Sequence, residues 1–327
     1  MDSSEQIILI EHNPEDQYFE NQPNDPLNSS LIKSLCQISE LVYKPQIFFT
    51  ENYTKNSYKT YERFQQIPED QSDESILCGF TEKEYECFSY IQSEPQLFES
   101  IIDCQCYVCI FNKDSILIAF RGSSDFKDWI ANANIIKAKM ELPDVPDNEL
   151  PKVHLGFLRQ FTSVENKITD YINEILQNDI NNTIKNIVYT GHSLGGGLAS
   201  IALINYSHKY TQLKHMCVTF GAPRVGNKSF KKKFQEKCNF SKRYVNYYDP
   251  VPSLPSSLHY CNTCPSEYIN QNIIEEVDTP MSRFFWILYY QIGNLFCSKY
   301  NPINDHNINN YYDKLCDLLP DDDKKNQ

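Results

Sequence analysis

The sequence predicts an α/β protein with a mainly parallel central sheet and helices on both faces. Three observations carry that expectation. Apolar runs of strand length, NIVYT (186–190), MCVTFGAP (216–223) and RYVNYY (243–248), alternate with segments of helical spacing, the pattern of parallel strands joined by covering helices. The pentapeptide Gly191-His192-Ser193-Leu194-Gly195 stands between the first of these runs and a stretch of small and aliphatic residues. An aspartate and then a histidine follow that serine in chain order, both in turn-like contexts.

Taken from the N-terminus, residues 1–30 are acidic and rich in Asn, Gln and Pro, and predict a flexible arm. LIKSLCQISELVY (31–43) has apolar residues at helical spacing. Residues 50–75 are polar and predict irregular structure. CQCYVCIF, the turn Asn112-Lys113-Asp114 and SILIAF predict a β-hairpin. From Leu155 to Gln177, Phe157, Phe161, Val164, Ile168, Ile172 and Ile175 recur three or four apart, predicting a long helix with one apolar face. GHSLGGGLASIALINYSHKY predicts a second helix, small enough along its length to lie close on a sheet. A basic helix is expected near 227–238, and residues 319–327 form an acidic, solvated tail. A length of 327 residues allows two domains. The order of the motifs instead assigns 31–318 to one.

Composition narrows the function. Lys+Arg is 30 and Asp+Glu 43, a formal charge of −13. Such a polyanion is repelled by nucleic acid and by acidic bilayers, which leaves neutral substrates and neutral lipid surfaces. No apolar run approaches the length of a membrane-spanning helix. MDSSEQIILIEHNPED lacks the basic start and long apolar region of a secretory signal. The expected location is therefore cytoplasmic or peripheral, with secretion the alternative if the true N-terminus lies elsewhere. Cys104-x-Cys106-x-x-Cys109 and Cys261-x-x-Cys264 raise a zinc reading. The first group, however, sits in an apolar strand-like run, where cysteine serves as a small hydrophobe. Mostly reduced thiols are expected, and no metal or cofactor. No sequence feature points to an oligomeric state.

The pentapeptide matches G-x-S-x-G, in which a serine sits on a sharp strand-to-helix turn and side chains on either flank would collide with neighbouring elements. The helix beginning after Ser193 aims unpaired backbone N–H groups at charge developing on a bound carbonyl. A serine hydroxyl needs a base, and the base a carboxylate to orient it. Asp249, at the end of RYVNYY and before two prolines, is the favoured carboxylate. Of seven histidines, only His259 and His306 follow Asp249. Chain order leaves both in play, and the loop-like context of DHNINNYYDKL favours His306.

At this point the chain resembles the class 3 lipases, the fungal-type triacylglycerol lipases and their relatives. The resemblance rests on IAFRGSSDFKDWIANANI (118–135), VHLGFL (153–158), IVYTGHSLGGGLASIAL (187–203), VTFGAPRVGN (218–227), RYVNYYDPVPSLP (243–255) and DHNINNYY (305–312), in family order. It implies an α/β-hydrolase fold, a helical lid and hydrolysis of lipid carboxylic esters such as acylglycerols at an oil–water or membrane interface. It carries Ser193 over as nucleophile, Asp249 as carboxylate and His306 as base, His259 falling where the family has a non-catalytic histidine. Ser123 and Leu194 become oxyanion-hole donors. Residues 124–140 become the lid, with Phe126, Trp129, Ile130 and Ala133 on one face of a helix that swings aside at a lipid surface. The segment 271–300, with FFWILYYQIGNLF, departs from the family and is assigned first to core packing. Phospholipase A1 and feruloyl esterase activities are the rival enzymatic readings, and a non-catalytic lipid-binding scaffold the rival of another class.

Overall fold

The computed structural model describes residues 28–43, 85–93, 104–123, 136–143, 145–269, 274–277 and 302–319. The stretches expected as arm (up to residue 27), irregular structure (50–75) and tail (from 320), the expected lid residues Phe126, Trp129, Ile130 and Ala133, and the apolar segment 278–300 lie outside the described residues.

Along the chain run α1 (Ser29–Leu41), β1 (Tyr85–Gln92), β2 (Gln105–Phe111), β3 (Ser115–Phe120), β4 (Lys137–Lys139), β5 (Lys152–His154) and α2 (Leu155–Asn178). There follow β6 (Asn186–His192), α3 (Leu194–Lys209), β7 (Lys214–Phe220), α4 (Lys228–Lys237) and β8 (Phe240–Asn246). After a 3-10 turn at Val251–Ser253 come β9 (Ser266–Ile269), β10 (Ile274–Val277), α5 (Pro302–Asp305) and α6 (Ile308–Leu318). Eight of the strands form one sheet in the order β1-β2-β3-β6-β7-β8-β9-β10. Its centre, β3, β6, β7, β8 and β9, is parallel. Antiparallel pairs finish both sides: β1 and β2 beside β3, and β10 beside β9.

Alternation across the strands builds two cores. On β3, Ile116, Ile118 and Phe120 join the cluster that holds Phe157, Phe161, Val164 and Ile168 of α2 and Leu198 and Ile201 of α3. Leu117 and Ala119 join the opposite cluster, with Leu35 and Ile38 of α1 and Tyr311 and Leu315 of α6. Helices α2, α3 and α4 thus cover one face of the sheet, while α1 and α6 pack together on the other. Every apolar residue named for the long helix is buried, each contributing about 1.5–3 kcal/mol. Helix α3 is buried nearly all round because it lies between the sheet and its neighbours α2 and α4. Caps set helix starts: the Asn28 side chain accepts from Leu31 N at 2.8 Å, and that of Asn227 from Phe230 N at 3.0 Å.

The fold class and the hairpin follow the sequence expectation, with Asn112 and Lys113 taking φ of 49° and 65° in the connecting turn. Boundaries move by a few residues. RYVNYY contributes its first four residues to β8, which starts earlier, at Phe240. The end of the stretch expected as lid, Lys137–Lys139, is a strand paired with β5 and not helix. Within 271–300, Ile274–Val277 is the strand β10, paired with β9. Cys106 and Cys109 point to opposite cores as small apolar side chains.

His215, at the start of β7, is buried against Tyr189 and Tyr210. Its Nε2 donates to the Tyr210 carbonyl at 3.0 Å, so its Nδ1 accepts from the Tyr189 hydroxyl at 2.9 Å. Burial holds its pKa below the ordinary imidazole value. The unfolded chain therefore binds a proton that the folded one refuses, and stability present above about pH 6.5 is lost as pH falls below it. The Tm should drop more steeply below pH 6.5 in the wild type than in His215→Gln, measured by thermal unfolding between pH 4.5 and 8. Parallel curves would rule this out.

Candidate active site

The loop between β6 and α3 turns sharply at Ser193, which has φ 58° and ψ −129°. A non-glycine residue at positive φ is strained and persists only where its surroundings enforce it. Here the enforcement is visible. The Ser193 N–H donates to the Phe220 carbonyl at the end of β7 (3.0 Å), and the Ser193 carbonyl accepts from Gly196 N (3.0 Å). The flanking glycines let the chain pass: a Cβ on Gly191 would overlap the Gly195 carbonyl group, and one on Gly195 would strike the Phe120 carbonyl. The same closeness presses the start of α3 against the end of β3. Phe120 lies beside Gly191 in the parallel register, so Ser123, just beyond β3 and half-buried, shares the carboxyl edge of the sheet with Ser193. Leu194 is the first residue of α3, where backbone N–H groups have no partner a turn earlier.

Asp249 lies three residues past the end of β8, in a turn closed by its own N–H to the Asn246 carbonyl (3.0 Å). Its carboxylate is fully buried and meets three donors. Oδ1 accepts from Val251 N at 2.8 Å, and Oδ2 accepts from His306 Nδ1 at 2.7 Å and from the Tyr311 hydroxyl at 2.6 Å. A buried carboxylate is tolerable only when so satisfied. Gly221, just after β7, has φ 60°, and a Cβ there would come to 2.9 Å from Asp249 Oδ2 and 3.2 Å from His306 Cε1. The space beside the pair thus requires glycine. Since Phe220 accepts from Ser193 and Gly221 abuts His306, the three candidate groups converge on one sheet edge.

Two buried arginines hold the turn that presents Asp249. Arg243 donates to the carbonyls of Ala222 (2.7 Å) and Pro252 (3.0 Å) and to the Ser266 hydroxyl. Arg224 donates to the carbonyls of Ser253 and Pro255, the latter at 2.8 Å. Burial pulls the Arg243 pKa below its ordinary value, and these carbonyls are what keep a buried guanidinium acceptable.

The other sequence candidate, His259, is exposed; its carbonyl accepts from Lys137 Nζ at 3.0 Å, and Asp249 pairs with His306 instead. The structure also adds residues that the sequence reading leaves out. The Tyr311 hydroxyl accepts from Asn246 N (2.9 Å) while donating to Asp249. Asn246 Nδ2 donates to the Asp305 carbonyl (2.8 Å), and Lys314 Nζ donates to Asn246 Oδ1 (2.6 Å). His192 Nε2 lies 2.7 Å from the His306 carbonyl, and its ring 4.5 Å from that of His306. Burial, then the neighbouring His306, pushes the His192 pKa well below the ordinary imidazole value. The signal for Tyr311 was its place five residues after His306 on a helix whose apolar face turns inward. Among the described residues, no three His, Cys, Asp or Glu side chains are grouped to hold a metal ion, and no helix is long and apolar enough to cross a membrane.

Residues 117–259 match the family described as Lipase (class 3). The secreted mono- and diacylglycerol lipase A of Penicillium cyclopium is 28% identical over 227 residues, which cover 68% of this chain and 70% of that protein. The chloroplastic phospholipase A(1) DAD1 of Arabidopsis thaliana is 29% identical over 153 residues, 43% of this chain and 33% of its own. Among solved structures, lipase II from Rhizopus niveus superposes with a TM-score of 0.58 at 22% identity, over 80% of this chain and 91% of that one. That likeness concerns the fold.

Proposed function

We propose, from the match of residues 117–259 to the class 3 lipase family and the likeness to a Penicillium lipase, that this chain is a carboxylic ester hydrolase of that family in which Ser193, His306 and Asp249 act together on lipid esters through an acyl-enzyme. In this reading His306 Nε2 takes the proton of Ser193 Oγ as that oxygen attacks the ester carbonyl. Asp249, hydrogen-bonded to His306 Nδ1 at 2.7 Å, holds the imidazole in the tautomer that leaves Nε2 free to accept. The oxyanion is received by the backbone N–H groups of Ser123 and Leu194 and by the Ser123 hydroxyl, a donor of this kind being worth about 3 kcal/mol in the transition state. His306 then returns the proton to the leaving alcohol, and water, activated the same way, releases the fatty acid. The observation that carries the reading is the buried His306–Asp249 pair on the edge where Ser193 is held at positive φ.

Acylglycerols are the proposed substrates. The Penicillium relative is a mono- and diacylglycerol lipase, and a chain of charge −13 favours neutral over anionic lipid surfaces. The Arabidopsis phospholipase supports phospholipase A1 activity as the second reading. That the Penicillium relative is secreted favours the secreted alternative for this chain over a cytoplasmic location. Phe126, Trp129 and Ile130 are kept as lid residues on their place in the chain just after Ser123, their amphipathic spacing suiting either a lid or a core helix. A panel of tri-, di- and monoacylglycerol, phospholipid and feruloyl esters tests the substrate. Acylglycerols should turn over fastest, and specific activity on tributyrin should rise once emulsion forms. A fluorophosphonate probe should label Ser193. No labelling of folded protein would favour a non-catalytic scaffold, and faster phospholipid cleavage would favour the second reading.

A further inference from the structure

The His306 turn is gripped at two successive carbonyls by side chains from the sheet. Asn246 at the end of β8 donates to the Asp305 carbonyl at 2.8 Å, and His192 at the end of β6 lies 2.7 Å from the His306 carbonyl. A carbonyl only accepts, so His192 Nε2 carries the proton, and in a neutral imidazole Nδ1 is then an acceptor. The group facing that Nδ1 is the Tyr43 hydroxyl, at 2.9 Å. Tyr43 follows α1, on the far side of the sheet from α2 and α3. Its hydroxyl also lies close against Gly122. Gly122 is the residue before Ser123, and a Cβ on it would run into that hydroxyl. The Arg121 guanidinium lies over the Tyr43 ring at 5.8 Å and donates to Gln105 Oε1 at 2.5 Å. One hydroxyl therefore touches both the strand end that presents Ser123 and the imidazole that holds His306.

We propose that Tyr43 and His192 are positioning residues for the ester hydrolysis: the Tyr43 hydroxyl fixes His192 in its Nε2–H tautomer, and His192 in turn holds the main chain of His306 in register with Ser193 and the Ser123 strand end. Neither touches the reacting atoms. This rests on the assignment of Ser193 and His306 above. Without the Tyr43 donor, His192 can take the other tautomer, whose unprotonated Nε2 would face the His306 carbonyl lone pairs and release that turn. A base displaced by a fraction of an ångström loses alignment with the serine hydroxyl, so the loss falls on the chemical step and not on ester binding.

The test uses the full chain and p-nitrophenyl butyrate, with kcat and KM measured separately and unfolding followed for each variant. Tyr43→Phe keeps the ring and should lower kcat about 10-fold with KM nearly unchanged. His192→Leu should lower kcat about 100-fold. His192→Gln, whose side-chain amide can replace the donor at Nε2, should recover most of that loss. Because Tyr43 acts through His192, the Tyr43→Phe/His192→Leu double variant should be no slower than His192→Leu alone. Folded Tyr43→Phe with wild-type kcat overturns the proposal, as do losses confined to KM, additive losses in the double variant, or a His192→Gln variant as slow as His192→Leu. If His192→Leu fails to fold, Tyr43→Phe and His192→Gln decide the question. Ser193→Ala, run alongside, separates the two levels. Activity retained there sinks the reading of the site, whereas an inactive Ser193→Ala beside a fully active Tyr43→Phe sinks the positioning role alone.

Discussion

Ser193→Ala should abolish measurable turnover of p-nitrophenyl esters, a loss on the order of 10⁴-fold or more, while leaving the fold intact. The substitution removes only Oγ. Alanine keeps the Cβ at φ 58°, so the backbone strain is unchanged and the neighbouring contacts, Ser193 N to Phe220 O and Gly196 N to Ser193 O, involve main chain alone. Circular dichroism and Tm should therefore match the wild type. Ser193→Gly should be equally inactive but more stable by about 1 kcal/mol, because glycine takes positive φ without steric cost. That pairing distinguishes a serine retained for chemistry from one retained for packing. Substantial turnover in Ser193→Ala would end the case for a serine hydrolase at this site.

Asp249→Asn should lower kcat by about 10⁴-fold. The carboxylate takes three hydrogen bonds, from Val251 N on Oδ1 and from His306 Nδ1 and the Tyr311 hydroxyl on Oδ2. An amide has one oxygen and one nitrogen. If the oxygen keeps Val251, the nitrogen faces His306, which must then present an unprotonated Nδ1 and carry its proton on Nε2, where it cannot accept from serine. If the amide turns over, the Val251 N–H meets another donor in a site with no exposure to water, at a cost of about 1–3 kcal/mol. Single-turnover kinetics should show slowed acylation, with fluorophosphonate labelling slowed in parallel. A variant retaining a tenth of wild-type kcat would mean that His306 is oriented by some other group.

The parts of the molecule that could be read from the chain are those governed by short spacing. The face of α2 follows from apolar residues three and four apart, since a helix brings those positions together wherever it packs. The elbow follows from five residues, because the clash that excludes side chains at Gly191 and Gly195 is with backbone that any strand-turn-helix passage would bring there. Strands β9 and β10 were harder. SEYI and IEEV are four residues each, too short for a period to stand out; the first becomes a strand by pairing with β8 and the second by pairing with the first.

The choice of partners belongs to the tertiary fold. His306 and Asp249 lie 57 positions apart, Tyr311 and Asp249 62, and Tyr43 and His192 149. No local rule relates such positions, and chain order alone kept His259 beside His306. What joins them is the strand order β3-β6-β7-β8, which lines up the carboxyl ends of four strands, and the packing of α1 on α6 beneath them. That packing brings the two ends of the described chain to one side of the sheet and sets a hydroxyl just past the first helix against a histidine beside the nucleophile. Sequence spacing thus determines which chemical groups are available and the turn that strains Ser193. Close packing across the sheet decides which of those groups meet, because only there are their distances fixed to a hydrogen bond's length.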